Sequence, residues 1–137
     1  MFHRAATLRL HALARRFPAV VILGARQVGK TTLARAAFPD LPYVDCQDPG
    51  TAAGLREDPR FVLERRERGG LIVDEAQAVE GVLAALRGLI DADRRRTGCF
   101  VVLGSAQPAR VRGAAESLAG RASVMELAPL TAGEAAT

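Results

Sequence analysis

The chain has 137 residues, of which 49% are hydrophobic and 25% charged, with a formal net charge of +4. This length favours one domain, and the composition excludes a largely disordered protein, which needs low hydrophobicity and high net charge. The longest apolar run, residues 19–23, is too short to span a membrane, and no secretory signal is visible. Only two cysteines are present, Cys46 and Cys99, so we expect reduced thiols and a cytoplasmic protein.

Short apolar runs alternate with helical patterns along the whole chain, which predicts an α/β fold with a parallel sheet. No linker or repeat divides the chain, so residues 1–137 are expected to form one unit. Because ligands bind at the carboxyl ends of parallel strands, the polar residues that follow strands are the candidate functional residues. In chain order the predicted elements are a helix at 4–16, strands at 20–23 and 42–46 separated by a helix at 30–37, a helix at 61–68, a strand at 71–73, a helix near 82–90, and strands at 99–103 and 122–127.

Residues 24–31 match the phosphate-binding pattern G-x-x-x-x-G-K-[ST] in full, between a predicted strand and a predicted helix. In such a loop the backbone N–H groups and the positive end of the helix hold phosphate oxygens. We expect Lys30, the only lysine of the chain, to reach the β- and γ-phosphates, and Thr31 to ligate Mg²⁺. The candidate nucleotide-binding residues are Gly24, Ala25, Arg26, Gln27, Val28, Gly29, Lys30, Thr31 and Thr32.

An acidic pair, Asp74 and Glu75, ends the apolar run that begins at Leu71. After a phosphate loop, this pattern is typical of a Walker B element. Asp74 is expected to hold Mg²⁺ through water, and Glu75 to act as general base on the attacking water. The alternative for Glu75 is a favourable acidic residue at a helix N-terminus. A carboxylate that activates water favours a hydrolase over a small-molecule kinase, which must exclude water.

Three further polar features each allow two interpretations. Ser105 follows the fourth strand and is either a phosphate or water contact, or a turn or helix-cap serine. Arg121 precedes the fifth strand and is either an arginine finger for a neighbouring subunit, or a surface or ion-paired residue. The run Arg94-Arg95-Arg96, with an isoelectric point near 10.0, indicates a solvated helix end or a nucleic-acid contact.

These motifs together resemble the N-terminal ATPase module of a prokaryotic family of AAA-type ATPases that carry a C-terminal domain of uncertain role. The resemblance rests on residues 17–21, the loop at 24–33, the segment at 71–77, Gly104-Ser105 and the segment at 116–131. It implies a P-loop fold with a five-stranded parallel sheet of strand order 5-1-4-3-2. It also implies a sensor position for Ser105, an arginine-finger position for Arg121, and ATP as the nucleotide.

The chain departs from the family pattern at three points. Ala25 stands where the family usually has proline, and Leu103 where it usually has threonine, which leaves sensor chemistry to Ser105. The chain ends at Thr137, so we expect the family's lid and C-terminal partner domain to be missing.

The sequence therefore predicts an AAA-type module that binds ATP with Mg²⁺ and hydrolyses it to ADP and phosphate. Thr31 and Asp74 are the predicted metal residues, and Lys30, Glu75, Ser105 and Arg121 the predicted catalytic residues. A homo-oligomer is expected if Arg121 acts on a neighbour. Two alternatives stay open: a truncated nucleotide-binding remnant or switch with little turnover, and a basic nucleic-acid-binding module with a secondary ATP site.

Overall fold

The computed structural model describes residues 4–24, 29–93, 95–105, 113 and 116–127. Its strands are β1 (Ala19–Gly24), β2 (Tyr43–Asp45), β3 (Leu71–Asp74), β4 (Phe100–Gly104) and β5 (Ala122–Leu127). Its helices are α1 (Arg4–Ala14), α2 (Lys30–Ala37), α3 (Pro49–Glu57), α4 (Pro59–Arg66) and α5 (Val82–Ala92), with a short 3-10 helix at Ala76–Ala78. None of the helices within these ranges has the length and apolar character that a membrane crossing requires.

The five strands form one parallel sheet in the order β2-β3-β4-β1-β5, which confirms the predicted order 5-1-4-3-2. The three central strands, β3, β4 and β1, are buried along their whole length. Their aliphatic sequences suit this position, because a strand covered on both faces needs apolar residues throughout. The predicted α/β fold class is therefore confirmed.

A separate apolar layer covers each face of the sheet. Alternate residues of a strand point to opposite faces, so Val21 and Leu23 of β1 pack in the layer that includes α3, α4 and α5. Val20 and Ile22 pack in the other layer, with α1 and α2. Helices on both faces hold the sheet between them, and this fixes the carboxyl ends of the strands relative to one another.

Two of the predicted helices have different boundaries in the structure. The first helix ends at Ala14 instead of residue 16, because the N–H groups of Arg16 and Phe17 both bond to the carbonyl of Leu13 and close the last turn. The helix predicted at 61–68 begins at Pro59 and ends at Arg66.

The helix α3 was not predicted. Asp48 accepts a hydrogen bond from the Thr51 N–H, and Asp58 accepts one from the Phe61 N–H, so each aspartate caps the helix that follows it. A proline takes the first helical position in both cases, where its missing N–H costs nothing. The repeated Asp-Pro pair was the signal for two helices in this stretch.

Candidate functional site

The phosphate loop lies where β1 ends and α2 begins. Gly29 has φ 85° and ψ 25°, a left-handed conformation that glycine adopts without the penalty of a side chain. The N–H of Leu33 bonds to the Gly29 carbonyl at 2.9 Å, so the first turn of α2 starts at this glycine. Four of the predicted loop residues, Ala25, Arg26, Gln27 and Val28, lie outside the described residues.

Lys30 is the first residue of α2 and is only 5% exposed. Its Nζ donates a hydrogen bond of 2.9 Å to the carbonyl of Gly24, the last residue of β1. The ammonium therefore lies beside the loop that joins these two residues. Burial of a charged ammonium costs free energy unless polar groups surround it. The Lys30 ammonium lies where the sequence predicts contacts with phosphate.

Asp74 ends β3 and accepts two hydrogen bonds on the same oxygen. The Thr31 hydroxyl donates to Oδ2 at 2.8 Å, and the Tyr43 hydroxyl donates to Oδ2 at 2.5 Å. The predicted pair of metal residues, Thr31 and Asp74, is thus in direct contact. Burial of Tyr43, and then its hydrogen bond to the Asp74 carboxylate, raise the pKa of the phenol well above its usual value.

Glu75 directly follows Asp74 and has an unusual backbone. Its φ of 54° and ψ of 50° are left-handed. Among the described residues, every other residue with a positive φ is a glycine. Its N–H bonds to the carbonyl of Leu103 at 2.8 Å, and its carboxylate accepts a hydrogen bond from the Gln77 amide. Such conformations cost free energy and often occur at functional sites, where they aim a side chain.

These side chains line one open cleft of about 400 Å³. On one side are the start of α2 and its hydroxyls, and on the other the acidic ends of β2 and β3. Its lining residues are Gly29, Lys30, Thr31, Thr32, Asp45, Gln47, Asp74 and Glu75. The structure thus brings Lys30, Thr31, Thr32, Asp74 and Glu75 together in one cleft, and their roles stay predictions.

The cleft also contains residues that sequence reasoning did not assign. Asp45 and Gln47 form its wall at the end of β2, and the Gln47 N–H bonds to an Asp45 carboxylate oxygen at 2.9 Å. Their position after the second strand was the available signal. Cys46 lies between them and is buried, so desolvation, reinforced by the charge of Asp45, raises the pKa of its thiol to about 12.

Ser105 follows β4, and β4 pairs with β1 in register, Gly104 opposite Leu23. Ser105 therefore lies near the end of β1, as the sequence predicts for neighbouring first and fourth strands. Ser105 does not line the cleft described above. It lines a separate small cavity together with Gln77, the residue whose amide contacts Glu75. A role for Ser105 in catalysis stays a prediction.

Arg121 lies at the opposite edge of the sheet. Its carbonyl accepts a hydrogen bond from the N–H of Ala19, the first residue of β1. Its guanidinium forms an ion pair with Asp91 of α5, with Nε 2.7 Å from Oδ1 and Nη2 3.0 Å from Oδ2. The hydrogen bonds to Asp91 raise the pKa of the Arg121 guanidinium above its ordinary value. The ion-pair alternative for Arg121 is therefore present in the structure.

Arg95 and Arg96 of the basic run follow α5 at this same edge of the sheet and are exposed. Arg94 is outside the described residues. Arg96 Nε donates to the Sγ of Cys99 at 3.4 Å, just before β4 begins. A nucleic-acid role for the run stays a prediction.

Comparison with known proteins gives relatives and structural neighbours. The chain is 39% identical over 130 residues to the uncharacterized proteins Rv2008c of Mycobacterium tuberculosis and Mb2031c of Mycobacterium bovis. These matches cover 93% of the chain and 29% of each relative, so the chain spans less than a third of their length.

Two solved structures share the fold. The Walker-type ATPase PABY2304 of Pyrococcus abyssi aligns with a TM-score of 0.62 and 18% identity, over 98% of this chain and 55% of that one. A DNA replication initiation factor aligns with a TM-score of 0.53 and 14% identity, over 90% of this chain and 44% of that one. The model of the family described as "AAA domain" matches residues 16–136. With this match over most of its length, the chain belongs to the family of AAA-type ATPase domains.

Proposed function

We propose that this chain binds ATP together with Mg²⁺ and hydrolyses it to ADP and phosphate, with residues 1–137 acting as one ATPase core. Membership of the AAA-type ATPase family supports a nucleotide-binding module. The observation that carries the finer proposal is the contact of 2.8 Å between the Thr31 hydroxyl and the Asp74 carboxylate, on a cleft that Glu75 also lines.

The residues of the cleft suit a magnesium ion. Mg²⁺ prefers oxygen ligands and is usually held by one or two carboxylates, water and substrate phosphates, not by a cage made of protein alone. Thr31 and Asp74 supply a hydroxyl and a carboxylate at one place, and the described residues contain no larger cluster of metal-ligating side chains. When bound, the ion would neutralise charge on the phosphate oxygens.

The other residues of the cleft would bind the phosphates and accept the proton of the attacking water. The start of α2 and the Lys30 ammonium would hold the β- and γ-phosphates. To do so, Lys30 would give up its hydrogen bond to the Gly24 carbonyl and bond to phosphate oxygens instead. Glu75 would take a proton from the attacking water as the water oxygen bonds to the γ-phosphorus. The bond from that phosphorus to the bridging oxygen then breaks, and ADP leaves with that oxygen.

The roles of Ser105 and Arg121 complete the proposal. Ser105 would hold Gln77, and through it Glu75, in place, which is a positioning role. Arg121 would act on the nucleotide of a neighbouring copy, which requires a homo-oligomer. A reducing compartment such as the cytoplasm suits the free, buried thiols of Cys46 and Cys99.

The test compares ATP binding and turnover by the whole chain, with and without Mg²⁺, for wild type, Glu75→Gln and Lys30→Ala. We expect the wild type to turn over ATP. Glu75→Gln should bind ATP but lose about 10²–10⁴-fold in turnover, because the general base is removed. Lys30→Ala should lose binding. A wild type that binds ATP at every protein concentration without turnover is a nucleotide-binding switch, and hydrolysis would then be wrong.

A further inference from the structure

Tyr43 reaches the metal-binding carboxylate from outside the cleft. Its hydroxyl lies 2.5 Å from Asp74 Oδ2, yet Tyr43 is not among the residues that line the cleft. β2 pairs with β3 in register, Asp45 opposite Asp74, so Tyr43 stands two residues before that pair. The phenol therefore reaches the carboxylate from the side nearer the start of the strands, and not from the cleft.

The ring of Tyr43 is held by the helix that carries the other hydroxyl. The guanidinium carbon of Arg35 lies 4.8 Å from the centre of the Tyr43 ring, a cation–π contact. Arg35 belongs to α2, whose second residue is Thr31. Tyr43 thus connects three elements, β2 through its backbone, β3 through Asp74, and α2 through Arg35.

Two hydroxyl donors on one carboxylate oxygen restrict how the carboxylate can turn. Thr31 donates from α2 and Tyr43 from β2, and both hydrogen bonds fall on Oδ2 of Asp74. Donors to an anion give stronger hydrogen bonds than neutral pairs give, and such outer partners orient metal-binding side chains. The other oxygen, Oδ1, is then held in a fixed direction for a magnesium ion or its water.

We propose that Tyr43 is a positioning residue of the magnesium site, whose hydroxyl orients the Asp74 carboxylate for the ion. This inference rests on the proposed function. The hydroxyl is the part of Tyr43 that acts, whereas the ring serves to hold it. Removal of the hydroxyl alone should therefore weaken the response to Mg²⁺ and leave binding of the nucleotide without metal unchanged.

The first experiment measures binding of a fluorescent ATP analogue to the whole chain, in EDTA and across a titration of MgCl₂. For Tyr43→Phe we expect the half-saturating Mg²⁺ concentration to rise about tenfold or more, as loss of such outer partners does. Affinity in EDTA should match the wild type. The control is Thr51→Val, which removes an exposed hydroxyl that donates to Asp48, and neither of these residues lines the cleft.

The possible outcomes separate the two proposals. A wild type that binds no nucleotide, or binds it without any effect of Mg²⁺, would overturn the proposed function and this inference with it. A wild type that responds to Mg²⁺, beside Tyr43→Phe with the same midpoint, would overturn the role of Tyr43 alone. Equal loss of affinity with and without Mg²⁺ would show a merely structural role and would also overturn it.

A second measurement works even if Tyr43→Phe does not fold. Tyr43 is the only tyrosine of a chain that has no tryptophan, so tyrosine emission reports this one ring. A hydrogen bond to a carboxylate quenches tyrosine emission. We expect Asp74→Asn to increase the emission, and Asp91→Asn, in the ion pair with Arg121, to leave it unchanged. Equal emission from Asp74→Asn and wild type would contradict the contact.

Discussion

The Arg121 guanidinium is joined by two hydrogen bonds to the Asp91 carboxylate at the edge of the sheet where the parallel strands begin. The phosphate loop lies at the other edge, where β1 ends at Gly24. Gly24 is roughly 17 Å further along that strand at the usual rise per residue. Arg121 is therefore too far from the nucleotide site of its own chain to contact it, and any action on phosphate must involve a second chain.

This placement predicts complementation between two inactive variants. Arg121→Ala should bind ATP normally and lose about 10³-fold or more in turnover, the value of an arginine finger when one is used. Lys30→Ala has no functional nucleotide site but keeps Arg121. An equal mixture of the two chains should regain turnover, because Lys30→Ala chains supply the arginine to Arg121→Ala sites. Steady-state ATP hydrolysis of the mixture measures this.

Asp91→Asn is the control for that experiment, because it breaks the same ion pair and leaves the arginine present. We expect its turnover to stay within a few-fold of the wild type. Turnover that falls as far as in Arg121→Ala, together with a mixture that stays inactive, would mean that the arginine only stabilises the fold.

The left-handed backbone of Glu75 predicts that glycine at this position is more stable than alanine. Glu75→Gly and Glu75→Ala both remove the carboxylate, but only alanine retains the strain of φ 54°. Glycine should therefore be the more stable of the two by about 1 kcal/mol in free energy of unfolding, measured in urea. Neither variant should turn over ATP. Equal stability of the two variants would show that the backbone at this position stores no strain.

Two adjacent glycines predict very different responses to alanine. A Cβ on Gly70 would lie 1.9 Å from the carbonyl oxygen of Cys99, which accepts the N–H of Leu71 at 2.7 Å. Gly70→Ala should lower the free energy of unfolding by about 3 kcal/mol or more, because the backbone must move. Gly69→Ala meets no atom within 4 Å and should cost only about 1–2 kcal/mol, from its φ of 76°. Thermal and urea unfolding measure both, and similar losses would contradict the close approach.

The buried thiol of Cys46 predicts a loss of stability at alkaline pH. Its pKa is raised from 9.0 to about 12 in the folded chain, so the unfolded chain releases this proton first as the pH rises. The contribution of Cys46 to stability should therefore be constant below about pH 9 and fall between pH 9 and pH 12. Urea unfolding at several pH values measures the slope, and Cys46→Ala should reduce it. Tyr43, whose pKa is also raised, will add to the slope above pH 10.

The parts of the site that sequence could predict are those that a local motif specifies. Lys30 and Thr31 follow a glycine pattern, and Asp74 follows an apolar run, so each is recognisable from its neighbours. The parallel sheet then brings them together, because the carboxyl ends of its strands share one edge. This is why the cleft was predictable, whereas the strand order was implied by the resemblance to a known family.

The contacts that sequence could not predict join residues far apart in the chain through side-chain geometry. Tyr43 and Asp74 are 31 positions apart, and Asp91 and Arg121 are 30 positions apart. Nothing in the surrounding residues of either partner specifies the other, and the contact depends on rotamers that form with the packed core. The helix α3 was missed for a different reason, because its start is marked by the Asp48 cap and not by a pattern of apolar residues.

The position of β4 in the middle of the sheet has a consequence for folding during synthesis. β1 is bordered by β4 and β5, so the strand that precedes the phosphate loop has no partner until residue 104 has left the ribosome. Until then only β2 and β3 can pair with each other. A nascent chain halted before β4 therefore exposes the aliphatic strand β1 to proteases and chaperones. Protection of β1 from proteases should begin abruptly, once β4 pairs with it between β3 and β1.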